Sequence, residues 1–325
     1  MGEVSTLIEK IDSSRHGNIA DFFITCSSFE DRCLGVPSRF SEKTEFKTNY
    51  VFVYTTPSPQ RDKNLRTIEE MLAKRGDIRL IQTPESDPFD AIGLLYKELK
   101  EYREDLGQSQ MCVTLDITTF TKRYLLLLLK CIDDLELWNC MRILYTEPKK
   151  YVTDLYLPMS IGIRTISPVE GFITNSPPNL PVLLIIFLGY EGDRARAIYE
   201  NLEPDQTVLI VPRPAYHDEW EGTTEKMNRS LIQMIGKDKV EYADSISPSL
   251  VSQQLENIAG KYDSRCWKFM VSPLGTKPQT VGIYFYWRTK PNSFSIIYAE
   301  PLKHNQPFYS TGIGRTWLLK PRTTQ

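Results

Sequence analysis

The chain carries one set of short motifs twice, in the same order, and this duplication restricts what it can fold into. Glu30-Asp31-Arg32 is answered by Gly192-Asp193-Arg194, 162 positions on. Thr55-Thr56-Pro57 is answered by Pro212-Arg213-Pro214, and Thr121-Lys122 by Thr276-Lys277. Tyr145-Thr146-Glu147-Pro148 matches Tyr298-Ala299-Glu300-Pro301. Ser160-Ile161-Gly162-Ile163 matches Ser310-Thr311-Gly312-Ile313, by then 150 positions on. Collinear matches with a slowly shrinking offset are what a copied and fused unit leaves behind. Asn64 and Asn228 form a weaker sixth pair that needs an extra loop around His217 to Thr223.

The segments between these anchors also agree. In the first half, apolar runs at Phe22 to Cys26, Tyr50 to Tyr54, Ile78 to Ile81, Met111 to Leu115 and Met141 to Tyr145 read as strands. Helical patterns begin at Phe29 and cover Gln60 to Lys74, Pro88 to Tyr102 and Thr121 to Ile132. The second half repeats this, with strands at Val182 to Leu188, Thr207 to Val211, Val240 to Tyr242, Trp267 to Val271 and Phe294 to Tyr298. Its helices start near Asp193, Thr224, Ser249 and Thr276. Continuous apolar strands alternating with helices specify a parallel sheet covered on both faces. The fold class expected is α/β, two tandem Rossmann-like parallel-sheet domains, each with a C-terminal hairpin or arm. The arms are Tyr151 to Ile166 and Phe308 to Leu319. The expected division is 1–172, a linker at 173–180 around Pro177-Pro178, and 181–325.

Length and composition agree. The 325 residues suit two domains, with 41% apolar and 25% charged residues. Lys+Arg of 39 against Asp+Glu of 41 gives no electrostatic footprint for long nucleic acid. The longest apolar runs, Val182 to Leu188 and Leu125 to Leu129, fall short of the ~20 residues a membrane-spanning helix needs. Nothing in Met1 to Glu30 reads as a signal peptide. Cys26, Cys33, Cys112, Cys131, Cys140 and Cys266 form no C-x-x-C pair and read as reduced core residues of a cytoplasmic protein. His16, His217 and His304 lack metal-ligand spacing, so no metal or other cofactor is expected. The aromatic cluster Tyr284 to Trp287 reads as core rather than as a base-stacking platform.

In an open parallel sheet, ligands bind outside the carboxyl ends of the strands, and the repeated motifs fall there. After each first strand come Ser28 to Arg32 and Gly189 to Arg194. Ser28 and Gly189 are small enough to let a ligand reach backbone amides. Asp31 and Asp193 read as helix caps. Arg32 and Arg194 would pair with a neighbouring carboxylate or with a ligand phosphate. After each fourth strand come Asp116 to Lys122 and Ser272 to Lys277. Here Asp116, Thr119, Thr121 and Lys122, with Ser272, Gly275, Thr276 and Lys277, form a phosphate or ribose cradle, or else a Thr helix cap beside a surface Lys. After each fifth strand, Pro148 and Pro301 should stop the strand. Glu147 and Glu300 would then accept ribose hydroxyls, act as a base, or pair with Arg32 and Arg194. No catalytic residue is assigned.

Asp116-Ile117-Thr118-Thr119-Phe120-Thr121-Lys122 after a buried strand resembles the fourth-strand signature of CARF-type Rossmann-like domains. Ser272 to Lys277 is similar in its Gly-Thr-Lys ending. Phe120 stands where that family usually has Gly, and Val271 where it has Asp. The resemblance implies a cyclic oligoadenylate ligand, bound between two copies of the domain, and a role in prokaryotic antiviral defence. It would place Thr119, Thr121, Lys122, Gly275, Thr276 and Lys277 on the nucleotide.

Three functions fit these features. The first is a nucleotide or cyclic-oligonucleotide sensor acting through a partner protein that carries the effector activity. The second is a nucleotide-processing enzyme of phosphodiesterase or ring-nuclease type, with Lys122, Lys277 and Glu147 or Glu300 stabilising charge and moving protons. The third is a structural subunit of a defence complex, in which the arms plug the crevice. No H-E-x-x-H, Walker A, G-x-S-x-G or nuclease pattern marks an appended effector.

Overall fold

The computed structural model describes residues 5–11, 21–107, 111–151, 158–306 and 309–319. In chain order the strands are β1 (Thr6–Ile8), β2 (Asp21–Ser27), β3 (Thr48–Tyr54), β4 (Asp77–Thr83), β5 (Cys112–Asp116), β6 (Met141–Tyr151), β7 (Ser160–Pro168), β8 (Val182–Phe187), β9 (Gln206–Pro212), β10 (Val240–Ala243), β11 (Lys268–Pro273), β12 (Ser295–His304) and β13 (Ser310–Leu319). The α-helices are α1 (Pro59–Leu72), α2 (Phe89–Leu106), α3 (Lys122–Asp134), α4 (Gly192–Leu202), α5 (Thr223–Met227), α6 (Arg229–Ile235), α7 (Pro248–Ala259) and α8 (Lys277–Thr289).

Two compact units result, Ser5–Asp154 with Gln306–Gln325, and Leu155–Asn305 with Met1–Val4. The division falls before and after the second unit's last strand pair, not at 173–180. Residues 152–157 and Phe308, which belong to the expected arms, lie outside the described residues, as does His16.

The first unit holds a sheet of order β1-β13-β6-β5-β2-β3-β4. Strands β6, β5, β2, β3 and β4 run parallel, while β13 and β1 are antiparallel additions. The second unit holds β10-β9-β8-β11-β12-β7, parallel throughout except for β7. Numbered within each repeat, the parallel strands follow the same order, 3-2-1-4-5, with an antiparallel sixth strand beside strand five. The duplication read from the sequence is therefore a duplication of topology.

The sixth strands are exchanged. Strand β7 follows β6 in the chain but pairs with β12, from Ile297↔Pro168 to His304↔Ser160. Strand β13 follows β12 but pairs with β6, from Ser310↔Tyr151 to Leu319↔Ile143. The arms thus join the sheet of the opposite repeat, β7 at its edge and β13 between β6 and β1.

Two local expectations are corrected. Pro148 and Pro301 do not stop their strands, because β6 and β12 run through them. Each proline lies opposite an arm that changes register, between Ile313 and Thr316 in one sheet and at Glu300/Pro301 in the other. A bulge absorbs the ladder bond that a proline cannot donate. Gly162 and Gly312, each one residue before the arm residue opposite the proline, have positive φ, +65° and +69°. Phe29 starts no α-helix; the stretch forms two 3-10 turns, Asp31–Leu34 and Pro37–Arg39.

Elsewhere helices form for reasons visible in the chain. Ser58 accepts from the Arg61 amide at the start of α1, with Pro59 in the first turn. Helix α3 turns Tyr124, Leu125, Leu128, Leu129 and Ile132 inward at three- and four-residue spacing. Each leucine so buried contributes about 1.5–3 kcal/mol. Tyr284 to Trp287 lie buried along α8, as core. Cys26, Cys33 and Cys131 are buried, but Cys112 and Cys140 are only partly so and Cys266 is exposed, which corrects the core reading for these three. No disulfide joins any of them. No helix among the described residues is long and apolar enough to cross a membrane.

Candidate functional site

In a 3-2-1-4-5 sheet the crossover direction reverses between strands one and four, and the loops at their carboxyl ends part there. These are β2 and β5 in the first unit, β8 and β11 in the second. The structure brings the first two motifs of each repeat to this switch point.

In the first unit the switch point is filled from within. Asp116 ends β5 with 1% exposure. Its Oδ2 accepts from Thr25 Oγ1 at 3.1 Å, and its Oδ1 from the Thr118 amide at 3.0 Å and from the Thr118 hydroxyl. Burial pushes its pKa up to about 6, against the lowering effect of these hydrogen bonds and of Arg32. Thr119 Oγ1 donates to the Cys26 carbonyl at 2.6 Å. Phe120 is buried against the Phe52 ring. Ser28 Oγ accepts from the Glu30 amide at 3.2 Å. Cys33, packed beside Ser28, is pushed up to about 12 by its own burial.

Arg32 takes the carboxylate partner. Its Nε and Nη2 meet Glu30 at 2.8 and 2.9 Å, and its Nη1 meets Tyr145 Oη at 3.2 Å. Burial is the largest influence and works against its charge, but Glu30, Tyr145 and Tyr151 together outweigh it and hold the guanidinium pKa well above the ordinary range. Thr121 caps α3, accepting from the Tyr124 amide at 3.5 Å, while its own amide donates to Tyr54 Oη. Lys122 is the first residue of that helix and half-buried.

Glu147 does not meet Arg32. It is fully buried, accepting from Arg315 Nε at 2.9 Å and Trp317 Nε1 at 2.7 Å, both on β13. Glu300 likewise pairs with Arg164 of β7, at 3.3 Å, rather than with Arg194. The reason is the arm: an antiparallel strand beside strand five places its arginine nearer these acids than the first-strand loop does.

The second unit's switch point is built differently. Gly189 follows β8 so closely against the Leu274 carbonyl that a Cβ would lie 2.4 Å from it. A Cβ on Gly192 would lie 2.5 Å from the Met227 carbonyl. Both glycines are therefore required by close approach. Glu191 precedes α4 without capping it, because its carboxylate accepts from the Ser160 amide and hydroxyl at 2.5 and 2.6 Å. Arg194 lies 3.9 Å from Glu191, donates to the Ala299 carbonyl and packs over the Tyr298 ring at 5.1 Å. Thr276 and Gln279 form a reciprocal capping box on α8, and Thr276 Oγ1 also donates to the Ser245 carbonyl at 2.7 Å. The Thr-Lys pair is thus a helix cap in both repeats. Gly275 sits against Gln279 Oε1, 2.1 Å from where its Cβ would be. Lys277 opens α8, half-buried. Ser272 Oγ is fully buried and has no hydrogen-bond partner.

The structure also adds residues. Asn64 Nδ2 donates to the Ser28 carbonyl and Asn228 Nδ2 to the Gly189 carbonyl, both at 2.9 Å. The weak sixth sequence pair is one structural device used twice. Glu30 with Ser310 (2.5 Å) and Glu191 with Ser160 are a second such device. Both serines belong to a repeated motif, but no local signal tells which repeat receives them. Among the described residues no group of His, Cys, Asp or Glu is placed to hold a metal ion.

Comparison with protein-family models gives no match for the chain, and neither does comparison with curated proteins.

Proposed function

We propose that the chain is a binding module for a nucleotide-type ligand, with its site at the second unit's switch point. The observation that carries this reading is the contrast between the repeats. Arg32 and Glu30 side chains are 3% and 5% exposed and locked together at 2.8 Å. Arg194 and Glu191 are 13% and 17% exposed and stand 3.9 Å apart. The first turn of α4 carries no side-chain cap, and Gly189 and Gly192 keep side chains away from its backbone. Backbone amides at a helix N-terminus, a guanidinium whose carboxylate partner stands 3.9 Å away and the Lys277 ammonium suit a phosphate group. The likeness of Asp116 to Lys122 and Ser272 to Lys277 to CARF-type domains supports a cyclic oligoadenylate as the ligand, a partner protein as the effector and antiviral defence as the setting.

Titration calorimetry against AMP, ATP and cyclic tri-, tetra- and hexa-adenylate tests this. Binding heat should be lost in Arg194→Ala and Lys277→Ala and kept in Lys122→Ala. Absence of heat with every probe overturns the reading, and equal loss in Lys122→Ala moves the site to the first unit.

A further inference from the structure

We propose that the loop between β10 and α7, Asp244 to Ser247, is a flap at the carboxyl edge of the second sheet that opens while the rest of its unit stays folded. The proposal concerns the second unit alone and does not depend on what the chain binds.

The loop is one compact piece. Asp244 Oδ1 accepts from the Ile246 and Ser247 amides at 2.8 and 2.6 Å and braces the turn from inside. Behind it, the Arg213 amide fixes the strand end by donating to the Ala243 carbonyl at 2.9 Å. Ahead of it, α7 is anchored on α8, where a Cβ on Gly282 would lie 2.5 Å from Val251 and 2.7 Å from the Pro248 carbonyl. Between these fixed points the loop is held by two side chains of α8 and its cap. Thr276 Oγ1 donates to the Ser245 carbonyl at 2.7 Å. Gln279 Nε2 donates to the Asp244 carbonyl at 3.2 Å and to the Ala243 carbonyl at 3.4 Å. All join neutral groups, and each gains little over the same bond to water. Ile246 is the loop's one apolar side chain and is only half-buried.

Against these modest gains stands a cost. Ser247 occupies the capping position of α7 and does not cap. Its Oγ and that of Ser249 are buried with no hydrogen-bond partner. A buried polar group left unsatisfied costs more than an average neutral hydrogen bond returns. Lifting the loop gives both hydroxyls to water and bares the first turn of α8, so the flap sets access to that part of the edge.

The first unit's counterpart, Thr83 to Phe89, has no such deficit. Tyr124, at the helix position matching Gln279, donates to the Pro84 and Asp87 carbonyls, and Thr83 Oγ1 donates to the Asp87 carbonyl at 3.3 Å. The Arg123 guanidinium adds a charged donor to the Ser86 carbonyl at 2.8 Å. Asp87 Oδ1 accepts from the Phe89 amide at 3.2 Å. Among the described residues of this loop, no buried side-chain polar atom lacks a partner. Pro84 and Pro88 also stiffen its backbone. One copy of the loop is locked and the other is poised.

Hydrogen exchange on the full chain, read by mass spectrometry against the intrinsic rate of each peptide, tests this. Residues 244–251 should be less protected than residues 83–92; equal or stronger protection overturns the flap. Ser247→Ala and Ser249→Ala remove a hydroxyl that only the open form satisfies. Each should slow exchange at 244–251 about fivefold or more, although Ser→Ala at a working helix cap does the reverse. Slowing in neither variant overturns the proposal. Slowing spread evenly over 280–287 as well would mean that the loop opens only when the whole unit does, and overturns the flap as a separate piece. Thr83→Val, which removes a hydroxyl that has partners, should speed exchange at 83–92. Slowing there would overturn the comparison between the two loops.

Discussion

Thr25 on β2 donates its hydroxyl to Asp116 on β5 at 3.1 Å, tying together the two strands between which the first sheet reverses its winding. Thr118 completes the knot. It donates twice to Asp116, and its hydroxyl accepts from the Thr146 amide of β6 at 3.0 Å. Strands one, four and five of the repeat are thus joined through one buried carboxylate. This explains why the second repeat can have Val271 at the equivalent position: its strand-one loop is held by Gly189 packing on Leu274 instead.

The Asp116 carboxyl titrates near 6 when folded against an ordinary value of about 3.9 when unfolded. The folded state therefore binds the proton more tightly. The group's stabilising contribution is fully present below about pH 4 and is lost as pH rises through 6. Asp116→Asn has no such titration. Urea melts of both proteins between pH 7.5 and pH 4 should show the unmodified chain gaining about 2–3 kcal/mol on the variant as pH falls. Parallel curves would contradict the buried position of the carboxylate.

Glu147 has no exposure and depends on two donors from β13. Trp317→Phe keeps the ring packing and removes the indole N–H, which faces Glu147 at 2.7 Å. The expected loss is about 1.5–3 kcal/mol, the range for a hydrogen bond to a charged group. Glu147→Gln in the same background should recover part of it, since a neutral amide costs less to leave half-satisfied. A double-mutant cycle measures the coupling.

Much of this was legible in the chain and some was not. The Tyr-x-Glu-Pro and Ser-x-Gly-Ile repeats gave the duplication, and apolar runs gave the parallel strands, because a strand buried on both faces must be apolar throughout. Thr121 and Thr276 could be read as caps from their place before a helix. The exchange of β7 and β13 could not be read, since β6 and β12 are near-equivalent partners and the pairing is decided by which sheet edge the chain reaches. The partners of Glu147 and Glu300 depend on that exchange. Sequence order therefore pointed to Arg32 and Arg194, whereas the arms supply Arg315 and Arg164.

Two glycines separate close approach from mere permissiveness. Gly189 has the Leu274 carbonyl at 2.4 Å from its would-be Cβ, while Gly93, exposed within α2, has nothing within 4 Å. Gly189→Ala must push apart the strand-one and strand-four loops, lowering stability by about 1–3 kcal/mol and abolishing any ligand affinity at this site. Gly93→Ala should raise stability by about 0.5–1 kcal/mol through helix propensity alone. Thermal melts of both variants decide it. A neutral Gly189→Ala would mean the two loops are not held together.

The exchanged arms make a sharp prediction about fragments. Residues 158–305 contain every strand of the order β10-β9-β8-β11-β12-β7, so the second sheet is complete within one continuous segment. Residues 181–325, the boundaries that sequence repetition suggests, lack β7 and carry β13 without β6. That fragment exposes the edge of β12, which is a template for association, and leaves Glu300 without Arg164. Fragment 158–305 should be monomeric by size-exclusion chromatography and melt in one cooperative transition. Fragment 181–325 should associate or melt without cooperativity, and adding a peptide of residues 158–170 should restore a single transition, because β7 contributes its ladder to β12, its packing on α4 and its contacts to Glu191 and Glu300. If 181–325 folds as well without the peptide as 158–305 does, the sixth strand is an ornament of the sheet and the assignment of arms to opposite repeats has no energetic weight.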